Sequence, residues 1–465
     1  MVRSLNQSSL LFLLPIPLLL SILMMAGCER AEQPAVFNPN LVLTTKYQIT
    51  KDIPMDQASK DSTWIVEKMF GTPDNPKLPE VMTEDESFAS IVSMDRLMKA
   101  SGPIEAEGRG LYRKHCALCH GVTGDGRGPS AAIQNPYPRD YRMGKFKFNS
   151  TPGGVKPTRE DLAGLIRNGI GGTAMKKIDA LTEEDIQALV DYVIYLSIRG
   201  EHERQQIEIA MMDGILEDGT RLLNTQFASA YFDQPGIIEK LETLSEKEED
   251  ELSEEETERL EAYEKFQEDW EYAEDYVADI AESWLEAEEE TLQVPEPPTD
   301  FPLAESREQI DAFRASDQAA AINESIERGR KLFVGKDANC SKCHGEKGLG
   351  DGQTTDFDDW TKDWTLKVGL KPDDREKLVP LLARGAMLPR NAIPRNFAEG
   401  VFRGGSSSND LYRRITQGID GTPMPAATFV EGQFEKEDVW HLINFIRSLQ
   451  KPADPLESVE PSPQA

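Results

Sequence analysis

The 465-residue sequence predicts an all-α fold in which two related helical domains are joined by an acidic helical insert. Three observations predict it. A set of five features recurs in the same order over residues 104–199 and 322–449, each copy closes on an amphipathic helix, and the zone between carries an apolar seam at helical spacing. A chain of this length holds two or three domains of usual size, each large enough for its own core.

Residues 1–28 read as an export signal. Arg3 stands in a short polar lead, Leu10 to Met25 carries no charge, and Ala26-Gly27-Cys28 follows. Small residues directly before a cysteine resemble the bacterial lipoprotein signal, in which cleavage precedes Cys28 and its thiol is acylated. The alternative is an uncleaved membrane helix, but the run is short and Pro15 and Pro17 interrupt it. Residues 29–103, rich in Pro, Asp and Asn, read as an N-terminal arm.

The first copy, 104–200, and the second, 322–450, share a glycine followed four residues later by an aromatic, Gly108 with Tyr112 and Gly329 with Phe333. A Cys-x-x-Cys-His motif follows in each. Pro138-Arg139-Asp140-Tyr141 then matches Pro394-Arg395-Asn396-Phe397, and Gly169-Ile170-Gly171-Gly172-Thr173-Ala174-Met175 matches Gly418-Ile419-Asp420-Gly421-Thr422-Pro423-Met424. The closing helices, Glu184–Leu196 and Lys436–Leu449, hold Tyr192 and Phe445 at equivalent places. Shared order of this kind means duplication. Extra residues near Thr354–Arg390 in the second copy read as a surface insertion.

Between the copies, 201–321 is acidic and helical. From Glu239 to Glu290 there are 24 Asp and Glu against 4 Lys and Arg, a net −20 of the chain's −31. Tyr263, Phe266, Trp270, Ala273, Val277, Ile280 and Trp284 recur at spacings of three and four, the seam of a packed helix. Its acidic face is either a solvated surface or a docking site for a basic partner. The chain's charge repels phosphate backbones and excludes nucleic acid as a partner class. Residues 451–465 form a C-terminal tail.

Five cysteines are all assigned: Cys28 to export, and Cys116, Cys119, Cys340 and Cys343 to the two motifs, leaving none for a disulfide framework. Cys116-x-x-Cys119-His120 and Cys340-x-x-Cys343-His344 space two thiols to add to the vinyl groups of one haem, with an imidazole beside them for the iron. A lone Cys-x-x-Cys also suits zinc or thiol–disulfide exchange; two pairs, each followed by His in a repeated frame behind an export signal, favour haem.

On these motifs both copies resemble class I cytochrome c domains, over roughly 220 of the 465 residues. The resemblance implies an all-helical fold whose first and last helices cross over the haem, with Gly108 against Tyr192 and Gly329 against Phe445 at the crossings. It implies two covalently bound haem c groups, and Met175 and Met424 as sixth iron ligands. These lie 55 and 80 residues after His120 and His344. Lys176 replaces a proline that the family pattern expects, and Met143 and Met387 are the competitors. The resemblance also places the Pro129 carbonyl on the outer nitrogen of His120, a position held by Gln353 in the second copy. Arg139 and Arg395 are candidates to pair with haem propionates, against an ordinary surface salt bridge, and Tyr141 is a weaker one. His115, His202 and His441 read as structural.

The function these readings imply is a dihaem c-type cytochrome carrying single electrons in a bacterial envelope respiratory chain, as a free carrier or as a subunit of an oxidoreductase complex. It would sit on the periplasmic side, held to the membrane by its lipid, with redox proteins or a membrane respiratory complex as partners. It would not itself be an enzyme. A dihaem peroxidase-like enzyme and a haem-bearing assembly subunit are the alternatives.

Overall fold

The computed structural model describes residues 34–452, apart from 105, 213–220, 224–226, 229–231, 233–234 and 248–251. The segment expected to be an export signal, with Cys28, and the tail from 453 lie outside the described residues. Among the described residues the secondary structure is helical, with isolated bridges and no strand, and no helix is long and apolar enough to cross a membrane.

The arm folds. Helices α1 (Leu41–Lys51), α2 (Asp56–Phe70) and α3 (Met94–Ala100) precede the first motif, which is carried by two short helices, α4 (Leu111–His115) and α5 (Ala117–His120). Helix α6 (Arg159–Asn168) starts in a capping box between Thr158 and Asp161, which satisfies N–H groups that a helix start leaves bare. Helix α7 (Glu183–Met212) runs well past the predicted end at Leu196. Over Ile186–Gly200 it is buried on nearly every side, because α2, α3, α6 and the turn Tyr141–Met143 surround it. Ile65, Phe70 and Leu97 of the arm share one core with Tyr192 and Leu196. Polar contacts reinforce that union: Asp191, with no exposed side-chain surface, takes Arg96 at 2.7 Å and Arg159 at 2.6 Å.

The acidic insert contains α8 (Glu254–Glu289), opened by a Ser253–Glu256 capping box. Tyr263, Phe266, Trp270, Ala273, Val277 and Trp284 are buried as the seam requires, while Ile280 is half-buried and Ala281 takes the interior place. Trp284 meets Phe146 edge-on at 5.7 Å, docking the helix on the first copy. Glu261, Glu264, Glu268 and Glu271 remain exposed.

In the second copy α9 (Ala319–Val334) crosses α13 (Asp438–Ser448), with α10 (Ser341–His344), α11 (Asp359–Trp364) and α12 (Ser408–Gln417) between them in sequence. At Gly329 a Cβ would stand 2.0 Å from the His441 carbonyl oxygen, so only glycine admits this approach. Phe333 and Phe445 close the crossing with ring centroids 5.2 Å apart. Burying each such ring contributes about 1.5–3 kcal/mol.

The first copy departs from this expectation. Gly108 lies ahead of α4 in a turn with φ 68°, and a Cβ there would meet nothing within 4 Å, so Gly108 is not a helix-crossing glycine. The close approach falls instead at Gly110, where a Cβ would stand 2.5 Å from the Pro103 carbonyl oxygen. Tyr112 and Tyr192 still meet, 4.8 Å apart, and α3 packs on α7 beside them.

The insertion of the second copy is not a surface excursion either. Trp364, Leu370, Leu378 and Leu381 form a small core with Val42 of α1, and Asp363 pairs with Arg204 of α7 at 3.2 Å. Its apolar residues are what the sequence offers as a sign: it carries two of the chain's six tryptophans.

Candidate functional site

Each Cys-x-x-Cys-His motif forms one helical turn that ends at a glycine with positive φ, Gly121 or Gly345. The chain then doubles back under the histidine. Gly126 N–H donates to the His120 carbonyl at 2.9 Å and Gly350 N–H to the His344 carbonyl at 2.8 Å. A Cβ on Gly126 would stand 2.7 Å from the Pro138 carbonyl, and one on Gly350 2.5 Å from that of Pro394. Glycine at these positions lets the Pro-Arg segment pass directly against the motif.

That passage orients the imidazoles. His120 Nδ1–H donates to the Arg139 carbonyl at 3.1 Å, and His344 Nδ1–H to the Arg395 carbonyl at 3.2 Å. A carbonyl can only accept, so each ring is held as the tautomer whose Nε2 lone pair is free for a metal. Tyr141 stacks on His120 with planes 11° apart, and Phe397 on His344 at 17°. Burial pushes His120 down to about 4 and also lowers His344, so both are neutral at pH 7.

The expected Pro129 contact is therefore replaced by the Arg139 carbonyl. Gln353 does not weaken the second copy, because Arg395 supplies the equivalent acceptor; Gln353 uses the N–H that a proline lacks to bind the Lys342 carbonyl at 2.8 Å. Tyr141 serves as a wall of His120. The repeated Pro-Arg element was visible in the sequence, but its backbone role was not, since a carbonyl leaves no trace in side-chain identity.

None of the four motif cysteines is in a disulfide. Burial pushes Cys116 up to about 12 and Cys340 up to about 11, which keeps both uncharged. Among the described residues no cluster of three or more His, Cys, Asp or Glu is placed to hold a metal ion, so neither motif has the extra ligands of a zinc site.

Met175 and Met424 sit in loops with the same internal bonding. Ile170 N–H donates to the Met175 carbonyl at 2.7 Å and Ile419 N–H to that of Met424 at 3.1 Å. The Thr173 and Thr422 hydroxyls donate to the carbonyls of Ile170 and Ile419, and accept from the N–H of Met175 and Met424 at 3.1 and 3.2 Å. Lys176 leaves this pattern unchanged. Met143 ends the turn after Tyr141 and corresponds to Glu399 in the second copy, while Met387 lies in the insertion.

Arg139 and Arg395 lie where the two copies meet. The Arg139 guanidinium stacks on Trp360 at 3.4 Å, and burial lowers it to about 10. Lys147, beside the same ring and 3.9 Å from Asp358, is pushed down to about 7 by burial and by Arg139. Burial also lowers Arg403, whose Nε has no hydrogen-bond partner among the described residues. This cluster of half-buried cations calls for anions. Haem carboxylates would provide them, and with neutral thiols, free imidazole Nε2 atoms and paired methionine loops the residues fit two such groups. His202 and His441 lie apart from both motifs, His202 in the interior and His441 against Ser325 at 2.9 Å; His115 is half-buried at the end of α4.

Residues 104–193 match the family model described as cytochrome c oxidase, cbb3-type, subunit III, and residues 326–450 match the one described as cytochrome c. No curated protein matches the chain. Among solved structures it is similar to a chain of the reducing HAO-like protein complex of Kuenenia stuttgartiensis, at 20% identity and a TM-score of 0.39, over 77% of this chain and 97% of that one.

Proposed function

We propose, from the premise that this chain carries two cytochrome c-type domains in tandem, that it is a dihaem electron carrier of the bacterial cell envelope. The observation that carries the reading is the duplicated site: in both copies one imidazole is tied through Nδ1 to an Arg carbonyl and covered by an aromatic ring.

Cys116 and Cys119 would bond one haem and Cys340 and Cys343 the other, with His120 and His344 as proximal ligands and Met175 and Met424 completing each iron. Such iron supplies a one-electron couple. The chain's own residues hold the imidazoles neutral, fix their tautomer and stack Tyr141 and Phe397 on them. Arg139 and Arg395 would meet the propionates. Met175 and Met424 as ligands would fill both irons and leave no place for peroxide, which favours electron transfer over turnover of a substrate.

The lipoprotein-like signal supports acylation at Cys28 and attachment to a membrane on the periplasmic side. Its redox partners would be respiratory proteins, with basic ones favoured by the exposed acids of α8. The family description matched by the first domain supports a subunit of a membrane oxidoreductase as readily as a free carrier. The test is an alkaline pyridine spectrum together with a potentiometric titration of the mature membrane-derived protein. Two thioether-linked haems and two one-electron waves are expected. Fewer than two haems, or peroxide turnover by the half-reduced protein, would overturn the reading.

A further inference from the structure

Trp360, from the insertion of the second copy, stands between the two sites. Its ring lies under the Arg139 guanidinium at 3.4 Å, and its Nε1–H donates to the Asp140 carbonyl at 3.1 Å. The backbone of Arg139 is the acceptor that holds His120. The ring edge also packs against Gly421, where a Cβ would fall 2.2 Å from it, and Asp359 N–H donates to the Gly421 carbonyl at 3.0 Å. Gly421 precedes Thr422, whose hydroxyl accepts from the Met424 N–H. One indole thus joins the imidazole side of the first site to the methionine loop of the second, through contacts of hydrogen-bond or van der Waals length.

The reciprocal contact is made by Arg395 and Val401. Arg395, whose carbonyl holds His344, brings its guanidinium to the Gly172 position of the first methionine loop, where a Cβ would lie 3.3 Å away, and Arg403 donates to the Gly172 carbonyl at 3.4 Å. The charged groups around Trp360 include Arg139 and Lys147 at its ring, with Asp358 paired to Lys147 and Asp359 to Lys145. The ring acts as a coupling medium and not as a redox station.

Resting on the dihaem reading, we propose that Trp360 is the positioning residue that couples the two sites for electron exchange inside the molecule. One electron leaves one centre and arrives at the other; no bond is made or broken and no proton moves. A tunnelling electron is attenuated steeply by gaps, and the indole fills the gap between Arg139 and Gly421.

The test uses the full mature protein with Trp360→Leu and Trp360→Phe. An alkaline pyridine spectrum is taken first: loss of two haems from the unaltered protein would sink the dihaem reading rather than the bridge. With two haems present, internal equilibration is followed after rapid one-electron reduction, and hydrogen exchange is measured over 139–147 and 418–424. Trp360→Leu should slow equilibration by about tenfold or more, with Trp360→Phe between it and the unaltered protein. Exchange protection and both midpoint potentials should stay unchanged in Trp360→Phe. Equilibration at the original rate in Trp360→Leu overturns the proposal. So does an equal slowing in both variants accompanied by lost protection over 418–424, which would make Trp360 only a spacer between the copies.

Discussion

Gly329 and His441 mark the tightest helix contact of the second copy: a Cβ on the glycine would sit 2.0 Å from the histidine's carbonyl oxygen and 2.8 Å from the Phe445 Cβ. Gly329→Ala must part the backbones of α9 and α13, at a cost of about 1–3 kcal/mol or more. Gly108→Ala meets open space and suffers only its left-handed backbone, about 1–2 kcal/mol. Chemical denaturation followed by the two haem spectra should show the first substitution weakening the second copy selectively. Equal effects in both copies would contradict this asymmetry.

Met175 and Met424 are tested by spectrum. The methionine-to-iron charge-transfer absorption of the oxidised protein should fall by about half in either single substitution and vanish in the double one. Persistence in the double variant would point to Met143 or Met387.

Asp191 is a stability site remote from the haems. Asp191→Ala leaves Arg96 and Arg159, both partly exposed, without their shared carboxylate. Losing these charge-assisted bonds while the guanidiniums keep some water costs about 1–3 kcal/mol. Urea unfolding should register that loss with the haem spectra of the folded protein unaltered.

His202 gives a pH dependence. It is fully buried beside Phe70, both ring nitrogens lack hydrogen-bond partners among the described residues, and burial, then Arg199, pushes it down to about 3. Between about pH 6.5 and pH 3 the unfolded chain binds a proton that the folded chain does not. Stability therefore falls as pH drops through that window, by up to about 1.4 kcal/mol per pH unit from this group. His202→Phe should flatten that part of a stability–pH profile, and an unchanged slope would mean that other groups set it.

The acids of α8 make a kinetic prediction. Lysine at Glu261, Glu264, Glu268 and Glu271 should slow reduction by a basic redox partner about tenfold at low salt. The difference should disappear near about 1 M salt, where the screening length is about 3 Å. Identical salt curves for both proteins would leave this face a solvated surface.

Duplication, helical class and the haem motifs were legible in the sequence because they depend on residue identity at short spacings: thiols two apart, an adjacent imidazole, apolar residues at three and four. The seam of α8 was legible for the same reason, down to a single exchange of Ile280 for Ala281 in the interior. Tertiary structure alone decided which carbonyl holds each histidine, that Gly329 but not Gly108 carries a helix crossing, that the arm shares the core of α7, and that the insertion reaches between the copies with Trp360. Each of these depends on where distant backbone segments approach one another. Such approaches are set by the packing of the whole interior, and neither local propensity nor periodicity encodes them.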